Sequence, residues 1–159
     1  MPTPLLTRAR QAVGDAIQQW PTLSGVFRRR YLFEDDPGGI AGEPSPTLGD
    51  LPALGIYPDA AESPWVLNQA QEIRYPLRID LWTRAWDVRR GEFLWEEIIK
   101  SLHQSLPTPD GRVRRLVGFS SLAPRPIQLG TDQSGPTATR WTFRVEVSAG
   151  FWNPKSSQS

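Results

Sequence analysis

The sequence predicts an α+β domain: a mixed or antiparallel β-sheet of about four to five strands with two α-helices packed on one face. Three observations carry this. Residues 4–20 and 87–106 repeat apolar side chains at three- and four-residue spacing. Other segments alternate apolar and polar residues, the longest over 69–87 and 137–152. Strands outnumber helices, in an order without regular strand–helix alternation, which favours two layers over a parallel α/β fold.

The first helix is expected from Pro4 to Trp20. Leu5, Leu6, Ala9, Val13, Ala16, Ile17 and Trp20 make one stripe. Thr3 can cap it with Pro4 at the first helical position, and Pro21 ends it. Ser24–Glu34 reads as a strand, with Phe27, Arg29, Tyr31 and Phe33 on one face and Val26, Arg28, Arg30 and Leu32 on the other. Its three consecutive arginines fit either a solvated strand or a polar contact surface. Asp35–Asp50 is rich in Gly, Pro, Asp and Ser and reads as a long loop. Leu51–Pro58 follows as a short strand bounded by prolines, and a second loop is expected over Asp59–Leu67.

Within residues 69–87, Ile73, Tyr75, Leu77, Ile79, Leu81 and Thr83 alternate with Arg74, Pro76, Arg78, Asp80, Trp82 and Arg84. Pro76 cannot donate to a ladder and predicts an edge or a bulge there. Trp82 and Trp86 share the arginine face, where a tryptophan is expected to be stacked or covered. The second helix is expected over Asp87–Leu106, with Phe93 or Leu94, Ile98, Leu102 and Leu106 inward and Pro107 as its stop. Asp87 and Glu92 suit its positive end, and Glu96 and Lys100 are spaced for an i,i+4 pair. Arg112–Leu122 reads as a strand, Ala123–Pro136 as a third loop, and Thr137–Trp152 as a closing strand with Trp141, Phe143, Val145, Val147 and Ala149 on one face. One domain is expected over 1–152, with a polar tail over 153–159.

Composition narrows the chemistry. The 159 residues contain no cysteine and one histidine, His103, which excludes disulfides, thiolate metal sites and cysteine nucleophiles. At 159 residues the chain can bury about 70% of its unfolded surface, enough for an ordinary core. Net charge is +1, from 18 basic and 17 acidic residues, without the basic excess of a polyanion-coating protein. No apolar run approaches the roughly 18 residues of a membrane span, and no signal-peptide order opens the chain, so a soluble intracellular chain is expected. No phosphate-binding loop, GxGxxG, GxSxG or HExxH is present. The acids Asp80, Asp87, Glu92, Glu96 and Glu97 form the main carboxylate concentration; Glu92 and Glu96, with Arg89, Arg90 and Lys100 nearby, read as a solvated helix face rather than a catalytic group. No enzymatic activity, cofactor or metal is expected. Seven Trp and sixteen Pro are the surplus; they suit contact surfaces and shaped loops.

The element order, with LPALGIY, EIRYPLRIDLWTRA, GEFLWEEIIKSL and ATRWTFRVEVSAGF in sequence, resembles the tail terminator (tail completion) proteins of tailed bacteriophages. The matching residues are Leu51–Ile56, Ile73–Leu81, Ile98–Leu102 and Trp141–Val147, within a similarity spanning about residues 5–152. The long Asp35–Asp50 loop and the tryptophan count depart from the pattern, and other neck components, such as head–tail joining or stopper proteins, would share much of it. The resemblance implies a homo-oligomeric ring, commonly of six copies. Such a ring caps the tail tube protein and meets a head-side connector or stopper protein, with a tail sheath as a further partner. Genomic DNA passes through without specific binding, and no membrane is involved. It implies a virion protein, present in the host cytoplasm during assembly.

The residues expected at protein–protein interfaces are Arg28, Arg30, Pro37, Ile40, Trp82, Trp86, Pro124, Pro126 and Trp152. The loops over Asp35–Asp50 and Ala123–Pro136 are expected to carry intersubunit contacts. The alternative is a single-stranded nucleic-acid module built on the Arg/Trp face of the long strand.

Overall fold

Two thirteen-residue strands, Glu72–Arg84 and Ala138–Gly150, form the spine of the molecule and pair antiparallel along their whole length. At about 3.3 Å per residue each runs some 43 Å. The computed structural model describes residues 4–31, 46–59, 65–67, 72–129 and 135–150. In chain order the elements are α1 (Leu5–Gln18), β1 (Arg29–Tyr31), a 3₁₀ turn (Leu48–Asp50), β2 (Ala53–Pro58), β3 (Trp65–Leu67), β4 (Glu72–Arg84), α2 (Val88–Ser105), β5 (Arg115–Ser121), β6 (Arg125–Ile127) and β7 (Ala138–Gly150). The fold is α+β, with a mixed sheet in the order β1-β2-β4-β7-β5. Among the described strands only β1 and β2 pair parallel.

Two three-residue strands raise the sheet beyond the expected number. β3 extends the β2 side of β4, and β6 extends the β5 side of β7. Both lie in segments whose composition reads as loop, because three residues are too few to show alternation. This layout also explains Pro76. Its carbonyl accepts from Asp59 N at 3.2 Å, on the side of β4 where pairing to β2 ends at Leu77 and pairing to β3 begins at Arg74. The missing N–H falls between two partner strands, so neither an edge nor a bulge is needed.

Both helices lie on one sheet face. Ala9, Ala12, Val13 and Ile17 of α1 and Leu94, Ile98 and Leu102 of α2 bury against Leu54, Ile56, Leu77, Ile79, Leu81, Phe143, Val145 and Val147. Gly91 brings α2 onto the sheet. A Cβ there would stand 2.9 Å from Trp141 Cζ2 and 3.0 Å from Thr83 Oγ1. Asp87 caps α2, its carboxylate accepting from Arg90 N at 3.4 Å. Pro4 is the N-cap of α1 and contributes no side-chain bond; it sits one residue earlier than expected, and Thr3 lies outside the described residues.

Two further expectations are corrected and one alternative is resolved. The strand expected from Ser24 begins only at Arg29, because residues 20–26 fold into turns (Leu23 N to Trp20 O, 2.9 Å; Val26 N to Leu23 O, 3.2 Å) and Gly25 takes φ +73°. Phe93 is 49% exposed, and Leu94 alone fills the inward position. Lys100 pairs with Glu97 at 3.4 Å rather than with Glu96.

Candidate assembly surface

The sheet face turned away from the helices is where the surplus arginines and tryptophans should meet. One end of it, where β4 finishes and β7 begins, is instead a second small core. Trp82 is 2% exposed and packs with Tyr31, Leu51, Ala53, Leu129 and Ala138. Its ring meets Tyr31 edge-on at 5.8 Å. The cover for this tryptophan comes from β1, β2 and the segment after β6, all in the same chain. The Ala123–Pro136 segment is therefore not a simple outward loop, since Ile127 and Leu129 are pinned to this cluster. Leu129 is tied further by Thr137 Oγ1, which accepts from Leu129 N at 2.8 Å.

Around this cluster the polar residues pair with one another. Arg74 meets Glu146 at 2.9 Å and Arg144 meets Asp59 at 3.3 Å. Arg78 lies 3.5 Å from Asp80, donates to the Tyr57 hydroxyl at 2.8 Å and stacks over that ring at 4.5 Å. Asp80 is fully buried, and Thr142 Oγ1 donates to it at 2.7 Å. Such pairing consumes the charge that a single-strand platform would have to offer.

The carboxylates do not converge. Asp80 lies on the outer sheet face, whereas Glu97 lies on α2 and accepts from Thr22 Oγ1 at 2.7 Å. That hydrogen bond, opposed by burial and helped by Lys100, holds the Glu97 carboxyl below its ordinary range. Among the described residues no group of three His, Cys, Asp or Glu side chains could hold a metal ion. His103 packs against Phe119 at 5.2 Å, at the end of an aromatic row through Phe143 and Trp95. Among the described residues no helix is long and apolar enough to cross a membrane.

The expected interface residues separate. Arg28 and Trp86 come together at the start of α2, where they line a cleft of about 230 Å³ with Leu51, Thr83, Arg84 and Arg90. Trp86 is 76% exposed. Arg30 is exposed and donates to Gln18 of α1. Pro124 and Pro126 are exposed, the second within β6. Trp82 is buried in its own chain. Pro37, Ile40 and Trp152 lie outside the described residues.

Sequence reasoning did not assign three participants, Val88, Phe93 and Arg90, to a contact surface. Val88 and Phe93 are exposed apolar side chains on α2, flanking its first turns. Arg84 and Arg90 join Arg28 at the cleft. The signal was present for the arginines, which stand symmetrically three residues either side of the cap Asp87.

No family model and no curated protein matches the chain. Among solved structures it is similar to the bacteriophage SPP1 gp17 protein, at 16% identity over 94% of each chain, with a TM-score of 0.44.

Proposed function

We propose that this chain is a non-enzymatic structural protein of a tailed-phage neck or tail, assembling as a ring at the end of the tail tube. The observation that carries the reading is the order of elements. A helix, a short strand, the LPALGIY strand, a long alternating strand, a second helix and a closing long strand follow one another as in the tail terminator pattern. Trp86, Val88 and Phe93 add support as large apolar side chains left exposed beside a sheet whose Trp82 and Trp141 are already covered. Exposed apolar groups of this size belong to contact surfaces. In this reading about six copies close head to tail, through heterologous contacts whose rotation completes a circle. The ring binds the tail tube protein on one side and the head-side connector or stopper on the other.

Native mass spectrometry and negative-stain microscopy of the purified chain, alone and with tail tube protein, test this. A ring in either preparation is expected. A strict monomer in both overturns the reading.

A further inference from the structure

The cleft at the start of α2 holds positive charge that the described residues do not pair. Arg28, Arg84 and Arg90 line it together with the Trp86 indole. Four arginines elsewhere have carboxylates: Arg74 with Glu146, Arg78 with Asp80, Arg112 with Asp15 and Asp110, and Arg144 with Asp59. Among the described residues, none of the three cleft arginines has an ion-pair partner. Arg84 donates only to the Leu48 carbonyl, at 3.0 Å. The one acid in the wall, Asp87, spends its carboxylate on the backbone N–H of Arg90. Thr83 Oγ1 accepts from the Trp141 indole N–H at 3.0 Å. Three guanidiniums thus face one carboxylate across a small space.

Size and surroundings select the ligand. About 230 Å³ falls below the ~300–1,000 Å³ that encloses a drug-sized molecule, and suits a side chain or two. Guanidinium forks match a carboxylate in two-point geometry. Trp86 lines the cleft and is 76% exposed, and Val88, two residues on at the start of α2, is 53% exposed. A nucleic-acid strand would need a track of unpaired cations along its phosphates. Here the arginines Arg74, Arg78 and Arg144 along the outer sheet face already have carboxylates.

We infer that this cleft is a docking site for an acidic peptide segment of a partner protein: an aspartate or glutamate carboxylate between the arginines, and an adjacent apolar side chain against Trp86 and Val88. The inference stands whether or not the chain closes into a ring.

The test titrates the full chain with acetyl-Glu-Asp-Glu-Leu-amide, following heat by calorimetry and the Trp86 indole N–H by NMR. Saturable binding that moves the Trp86 resonance is expected. Affinity should fall about tenfold or more in Arg28→Gln/Arg90→Gln, and likewise when salt rises from about 50 to about 500 mM. Both arginines are exposed, so circular dichroism should be unchanged. Trp86→Ala, also at the surface, is the second variant and should weaken the peptide without altering the fold. Acetyl-Gln-Asn-Gln-Leu-amide should not bind. The inference is overturned if the acidic peptide fails to move Trp86, or if both variants bind it as well as the parent. Inorganic phosphate binding as tightly as the peptide would reduce the cleft to a simple anion site and overturn the peptide assignment. Tighter binding of oligo(dT) would give the surface to nucleic acid.

Discussion

Replacing Thr142 by Val tests the reading of the outer sheet face as an internally satisfied polar layer. The Asp80 carboxylate is completely buried, and Thr142, itself 8% exposed, donates to it at 2.7 Å. Valine keeps the branched shape and removes only the hydroxyl, so no cavity forms. A hydrogen bond to a charged group contributes about 1.5–3 kcal/mol, and a buried acceptor left without its donor loses that in full. Valine regains a few tenths of a kcal/mol from its preference for strands. The net expectation is a loss of about 2 kcal/mol, or about 4–8 °C in melting temperature for a chain of this size. Urea denaturation should show an earlier midpoint at an unchanged slope. The same substitution in an Asp80→Asn background should cost only about 1 kcal/mol, since the remaining acceptor is neutral. A loss below about 0.5 kcal/mol in the parent background, or equal losses in both backgrounds, would refute the assignment of a charged, buried acceptor.

Other expectations follow from the same structure. Gly91→Ala should destabilise by about 1–2 kcal/mol in thermal melts: overpacking against Trp141 outweighs the gain in helix propensity that the change brings at an open site. Glu97 has a carboxyl pKa below its unfolded value, so its contribution is complete above the unfolded value and is lost as pH falls through the folded one. Thr22→Val, removing the largest cause, should move the Glu97 pKa upward in a carboxyl NMR titration and flatten the loss of stability on acidification. Arg112 bridges Asp15 of α1 at 3.1 Å and Asp110 at 2.5 Å. Arg112→Gln should nevertheless cost under about 1 kcal/mol in urea, because these carboxylates are substantially exposed.

Most of the fold was legible because long elements carry long periodic signals. α1, α2, β4 and β7 each run over many residues, and their spacing alone placed the core stripes. Short elements were not legible. β3 and β6 have three residues each, and their existence depends on a neighbour that local sequence does not name. Trp82 shows the second limit. Alternation put it correctly on the arginine face, but period two says nothing about what lies above a face. Only the register of Ala53 and Arg140 opposite it and the return of Leu129 decide that it is covered. The candidate surface was legible in part for the same reason. Arg28 and Trp86 could be singled out by residue type, whereas their meeting with Arg84 and Arg90 depends on α2 starting just beyond the end of β4.

The central ladder also sets when the molecule can come into being. β4 leaves the ribosome well before its thirteen-residue partner β7, which ends at Gly150, and β5 and β6 pair with β7 alone. A nascent chain that has emerged only as far as residue 137 therefore lacks half of the central pairing, the seat of both later strands and the Trp141 surface on which Gly91 lands. Such distant pairing closes late. The outward surfaces that rest on this ladder therefore take shape only after β7 has emerged.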